Sequence, residues 1–236
     1  MKDGCFEIDK DVKYPFRASL SQDLFRVKAD GKILYGGSQN VYPTAKEKAS
    51  ACGIAAAADV VLYLKCLATG IFDVEKDDFI SISRIIKKFV PIIPGRGVNS
   101  FILAIGLNRF FKKSGLRFHA KWKCTEKKKW EITERMLKDD IPVILAIGNN
   151  YPFIWRENGL NLYVPDGPQQ GVQEVVFKKV QAVCGHFVVA TAIDGNVLTV
   201  SSWGRKYYIN TDEYDRYVKK HSIHLYCNIL SIKKII

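Results

Sequence analysis

The chain has 236 residues, 47% hydrophobic and 25% charged, which is enough apolar material to bury a substantial core and excludes a disordered chain. The net charge of +12 is spread over short runs such as Lys87-Lys88, Lys112-Lys113, Lys127-Lys128-Lys129, Lys219-Lys220 and Lys233-Lys234. None is interleaved with aromatics as a base-stacking platform would be, so the runs read as a solvated basic surface open to acidic partners, and no nucleic acid is expected.

No stretch reads as the roughly 18 consecutive apolar residues of a membrane span. The start, Met1-Lys2-Asp3-Gly4-Cys5, lacks the apolar core of a secretory signal. The expectation is a soluble chain, cytoplasmic or exported with a leader removed. Six cysteines, Cys5, Cys52, Cys66, Cys124, Cys184 and Cys227, form no C-x-x-C pair, which points to scattered thiols rather than a zinc ribbon or redox motif.

Residues 1–50 read as an extended lead-in to the same domain. Segments 24–27 and 33–35 flank the turn Ala29-Asp30-Gly31-Lys32 in a hairpin pattern, and Tyr35-Gly36-Gly37-Ser38-Gln39-Asn40 is too rich in glycine and polar groups to continue a strand. A helix is expected over 52–64, starting Cys52-Gly53-Ile54-Ala55-Ala56-Ala57-Ala58; it is apolar nearly all round and must therefore be buried against a sheet. Further helices are expected over 77–89, 98–113 and 131–138, ended by Pro91, Gly115 and the core strand 141–147. Strands follow at 175–180, 186–193, 197–201, 206–209 and 223–232, with a short helix at 212–218 and a hairpin turn at Asp194-Gly195-Asn196. The order gives an α+β domain over 51–236, with a helical lobe over about 51–140 and an antiparallel β lobe over about 141–236.

Two residues carry chemistry. A cysteine is nucleophilic as thiolate, and a helix N-terminus lowers its pKa, so Cys52 at the first turn of the buried helix suits a nucleophile. Standing alone, it would equally be small core. Gly185-His186-Phe187-Val188-Val189-Ala190 puts a histidine at the start of an apolar strand, where the imidazole can project toward that helix. The other three, His119, His221 and His224, lie in polar or basic contexts and read as surface or structural. Cys184, two residues before His186, reads as structural.

Downstream stands Ser201-Ser202-Trp203-Gly204-Arg205-Lys206-Tyr207-Tyr208-Ile209. In the order Cys52, His186, Ser201 to Gly204, the chain resembles the papain-like cysteine peptidases, which have Cys-Gly or Cys-Trp opening a central helix, a later Gly-His starting a strand, then Asn-Ser-Trp-Gly before an aromatic-Ile strand. Lys138-Asp139-Asp140-Ile141-Pro142-Val143-Ile144 is similar to the Lys-x-Gly-x-Pro-Val-Ile element of the bacteriocin-processing peptidases. The matches cover about residues 39 to 218.

The resemblance implies a papain-like α+β fold, a central buried helix packed on an antiparallel sheet, with a Cys-His thiolate hydrolysing a peptide or protein substrate. It puts Ser201 where the family has the Asn or Asp that orients the imidazole, with Ser202 or Asp194 as substitutes. Trp203 stands where the family's tryptophan covers the histidine. Gln39 is the oxyanion donor the family implies, although it lies 13 positions before Cys52 and needs an inserted loop at 41–50. No cofactor is implied: H-E-x-x-H, a phosphate-binding Gly-rich loop and a dinucleotide fingerprint are all missing from the sequence. The Ser201 replacement leaves open an impaired domain that binds peptides or cell-wall fragments, and the same Cys-His pair could pass its acyl group to an amine. Segments 149–155 and 163–168, with aromatics and turn residues, read as rims of the cleft.

Overall fold

The computed structural model describes residues 5–7, 16–93, 97–124, 128–148, 159–166 and 176–235. Its elements are β1 (Cys5–Glu7), β2 (Arg17–Ser19), β3 (Arg26–Ala29), β4 (Lys32–Tyr35), α1 (Ala45–Ser50), α2 (Cys52–Thr69), β5 (Asp73–Glu75), α3 (Lys76–Lys87), α4 (Ser100–Lys113), β6 (Phe118–Trp122), α5 (Lys129–Lys138), β7 (Val143–Ile147), β8 (Leu160–Pro165), β9 (Val176–Val183), β10 (His186–Asp194), β11 (Val197–Ser202), β12 (Arg205–Asn210), α6 (Thr211–His221) and β13 (Ile229–Lys234). The chain is α+β, with one large antiparallel sheet in the order β1-β9-β8-β12-β11-β10-β7-β13-β6; β2 joins β10 in line with β7. A small sheet, β4-β3-β5, stands apart.

Helix α2 lies at the centre because its sequence leaves it no polar face. Thirteen of its residues are buried, from Cys52 through Tyr63 and again at Cys66, and each large one among them contributes roughly 1.5–3 kcal/mol. The small side chains of Ala55 to Ala58 let the helix approach β10 closely. Its 18 residues have mean hydropathy 1.6 and so have the length and composition of a membrane span, which the sequence reading did not anticipate; 72% of that window is buried inside the protein. Its end is set by Gly70 at φ 73, whose N–H returns to the Cys66 carbonyl in a left-handed cap that favours glycine.

Both expected hairpins form. Asp30 and Gly31 have φ 49 and 73, the two positive values of a type I′ turn, and Gly195 at φ 58 links β10 to β11. Asp140, at the glycine position of the Lys-x-Gly-x-Pro element, has φ 60. Its carboxylate accepts from Ser21 N–H at 2.8 Å and Tyr63 Oη at 2.7 Å, fixing the turn before β7 against the lead-in and α2.

Several expectations need correction. The supposed loop at 41–50 contains helix α1, capped by Thr44, whose Oγ1 accepts from Glu47 N–H and donates to Glu47 Oε2. Thr44-Ala45-Lys46-Glu47 is a capping box that was legible in the sequence. The half expected to be helical holds β6, which pairs with β13, and one apolar core runs from Leu20 to Ile232 through both halves. The strand expected from 223 starts only at Ile229, because Tyr226 and Cys227 N–H both turn back to the Ile223 carbonyl. Tyr163 to Pro165, read as a cleft rim, lie within β8 between β9 and β12. The other rim, 149–155, lies outside the described residues.

Candidate active site

Three distant segments meet: the first turn of α2, the first residue of β10, and the hairpin joining β11 to β12. Cys52 and His186 are both buried, at 8% and 7% exposure, and both line one cavity of about 10 Å³ together with Gln39, Asp59, Ser201, Ser202 and Trp203. That is barely the space of one water. Ala51 ahead of Cys52 makes no side-chain cap, so the positive end of α2 is left for the thiol. The sulfur lies beside the backbone N–H groups of Phe187, Gly53 and Cys52 itself, which places it against the residue next to His186.

His186 Nε2 is 2.7 Å from Ser202 Oγ, and the Trp203 ring stacks on the imidazole at 4.2 Å between centroids and 13° between planes. Ser202, rather than Ser201, therefore holds the imidazole. Neighbouring residues on a strand point to opposite sides, and the Ser201 hydroxyl instead donates to the Tyr35 carbonyl at 2.8 Å. Asp194 is at the far end of β10, paired with Arg17 at 2.9 Å. Cys184 is exposed in the two-residue link between β9 and β10, not structural core.

The Ser-Trp-Gly sequence is a two-residue hairpin turn. Ser202 pairs with Arg205, and the residues between them, Trp203 and Gly204, have φ 48 and 73. A bulky side chain in the left-handed region is strained; here the stack on His186 and two backbone bonds, Gly204 N–H to Gly37 O at 3.1 Å and Tyr35 N–H to Gly204 O at 2.8 Å, hold it. At Gly204 a Cβ would stand 2.9 Å from Leu34 Cβ, so the turn presses directly on β4.

Gln39 reaches the cavity because the intervening segment folds back as α1: its Nε2 donates to the Lys48 carbonyl at 2.6 Å. An amide nitrogen carries two hydrogens, so one N–H remains after that bond. Asp59 was not singled out by the sequence reading. It lies seven residues after Cys52, two turns on and on the same face of α2, is 3% exposed, and accepts from Gly37 N–H at 2.7 Å. A lone acid in an otherwise apolar helix was the available signal.

Burial governs the charges. It pushes the Cys52 thiol up, against the nearby N–H groups that favour thiolate, and pulls His186 down to about 4. The resting pair is therefore neutral thiol and neutral imidazole. Burial also raises Asp59 to about 8, against the Gly37 N–H. Removing the ring that covers His186 is expected to reverse its shift: in Trp203→Ala the imidazole pKa rises from about 4 toward the ordinary 6.5, read from the His186 ring-proton NMR titration. A titration unchanged by the substitution would mean that Trp203 does not keep water from the ring.

Among the described residues no three His, Cys, Asp or Glu side chains are grouped as metal ligands. No protein-family model, curated protein or solved structure matches the chain, and the site rests on its own geometry.

Proposed function

We propose that the chain is a cysteine peptidase or amidase of papain-like architecture, in which Cys52 attacks a peptide-type carbonyl and His186 is its base. The observation that carries this reading is the tethered imidazole: with Nε2 on Ser202 under Trp203, Nδ1 is the ring nitrogen left to take the thiol proton. The tautomer that does so carries its hydrogen on Nε2 and donates it to Ser202.

The thiol proton passes to Nδ1, the sulfur pair forms a C–S bond, and the carbonyl π pair moves onto oxygen. Cys52 N–H and the remaining N–H of Gln39 face that oxyanion. Collapse breaks the C–N bond, and the leaving amine takes the proton from Nδ1. Water, deprotonated by the same nitrogen, then adds to the thioester carbonyl; collapse breaks the C–S bond, the acid leaves, and the Nδ1 proton returns to the Cys52 sulfur.

The neutral acceptor at Ser202 favours one second reading, a peptide-binding domain whose turnover is impaired, because a hydroxyl stabilises an imidazolium less than a carboxylate does. The test uses a peptide carrying an electrophilic carbonyl, followed by peptide mapping, since exposed Cys124 and Cys184 will also react with small alkylating agents. The expected result is modification at Cys52, lost in His186→Ala, together with peptide hydrolysis lost in Cys52→Ala. Modification confined to the other cysteines, with hydrolysis intact in Cys52→Ala, would refute the assignment. Binding without hydrolysis in the native chain would favour the second reading.

A further inference from the structure

Beside the candidate site lies a groove of about 550 Å³, lined among others by Asp30, Lys32, Gln181, Trp203, Arg205 and Tyr207. Its wall is built by strand alternation: Lys32 and Leu34 share one face of β4, Arg205 and Tyr207 one face of β12. Trp203 is common to this groove and to the cavity holding Cys52 and His186, and Ser38 and Asn40, on either side of Gln39, line it as well. A ligand lying in the groove therefore passes along the tryptophan and glutamine that flank the thiol.

The groove is built to receive a negative charge. Lys32 and Arg205 are exposed, and neither forms an ion pair among the described residues. The one acid on the rim, Asp30, is taken by Lys76 at 2.9 Å. Independently, Gln181 Nε2 is a buried donor that lacks a hydrogen-bond partner, which is a costly state unless a ligand supplies the acceptor. With Asp30 still at the rim, two free cations suit a single negative charge better than a dianion.

We propose that this groove binds the carboxylate side chain of a peptide substrate, an Asp or Glu residue near the bond that Cys52 attacks. The inference rests on the peptide-hydrolase reading above and names its substrate class. Lys32 and Arg205 hold the carboxylate, Arg205 by its forked donors and Lys32 as a point charge, and the rest of the groove takes the neighbouring backbone.

The experiment measures binding of fluorescent peptides to the full chain carrying Cys52→Ala, so that affinity is read whether or not the native chain cleaves them. The peptides are matched pairs that differ only in Glu against Gln, scanned position by position. At low ionic strength one position is expected to favour Glu by roughly 10-fold. Lys32→Glu with Arg205→Glu is expected to abolish or invert that preference, and Lys112→Glu with Lys113→Glu, on a basic run that does not line the groove, to leave it intact. Equal affinities within every pair, or equal loss with both double variants, would overturn the proposal, the latter by tracing the preference to net charge. Hydrolysis by the native chain is scored separately. Preferential binding without cleavage counts against the hydrolase reading alone, and cleavage without any Glu preference counts against the groove alone.

Discussion

His186→Ala is expected to lower kcat/KM for peptide hydrolysis by about 10⁴-fold or more, the loss seen when a nucleophile is left without its base. The physical reason is the burial of Cys52, which holds the thiol above its ordinary pKa; without an imidazole to take the proton, thiolate is scarce at neutral pH. The two serines separate orientation from scaffolding. Ser202→Ala leaves Nε2–H unpaired in a buried site, a penalty of about 1–3 kcal/mol, or roughly 5- to 150-fold in rate, and it shifts the acidic limb of the pH profile because it loosens the imidazole. Ser201→Ala removes the bond to the Tyr35 carbonyl and is expected to lower stability without that shift. The outcome that sinks this assignment is the reverse pattern, with Ser201→Ala carrying the larger rate loss and the pH-profile change.

The second large effect concerns Asp59. Its carboxyl is raised from 3.8 to about 8 in the folded chain, so between those values the native state holds a proton that the unfolded chain has lost. Stability from this group is therefore fully present below pH 3.8 and is lost as pH rises through about 8. Asparagine can still accept from Gly37 N–H but cannot ionise. The stability of Asp59→Asn relative to the native chain is expected to rise by roughly 5 kcal/mol from pH 4 to pH 9, measured by urea unfolding at each pH.

His186 acts in the opposite sense. Its folded pKa is depressed from 6.5 to about 4, so its contribution is present above 6.5 and lost as pH falls toward 4. Between pH 4 and 6.5 the two slopes offset each other, and from 6.5 to 8 only the Asp59 slope remains, about 2 kcal/mol. A gap between Asp59→Asn and the native chain that stays constant with pH would show that Asp59 is not buried as a neutral acid. The Gly37 contact of Asp59 stands two residues before Gln39, which ties this acid by position to the rim of the site.

Legibility followed the range of the interactions concerned. The Asp30-Gly31 and Asp194-Gly195 turns, the uncapped apolar helix beginning at Cys52 and the strand beginning at His186 were readable because each depends on a few neighbouring residues and on one repeat period. Strands β6 and β8 were not readable: Phe118 to Trp122 acquire their state from the far-off β13, and Leu160 to Pro165 from β9 and β12 on either side, and tertiary pairing overrides weak local preference.

The sequence by itself determined which residues could do chemistry: one cysteine at a helix start, one histidine at a strand start, and a Ser-Trp-Gly motif downstream of both. Only the tertiary structure decided which serine serves the imidazole, since a strand's alternation aims Ser201 and Ser202 apart and the register of β10 on β11 selects between them. It also decided that the thiol and imidazole rest neutral and that Asp59 keeps its proton to about pH 8, because desolvation is a property of what surrounds a group in space and no local stretch of sequence encodes it.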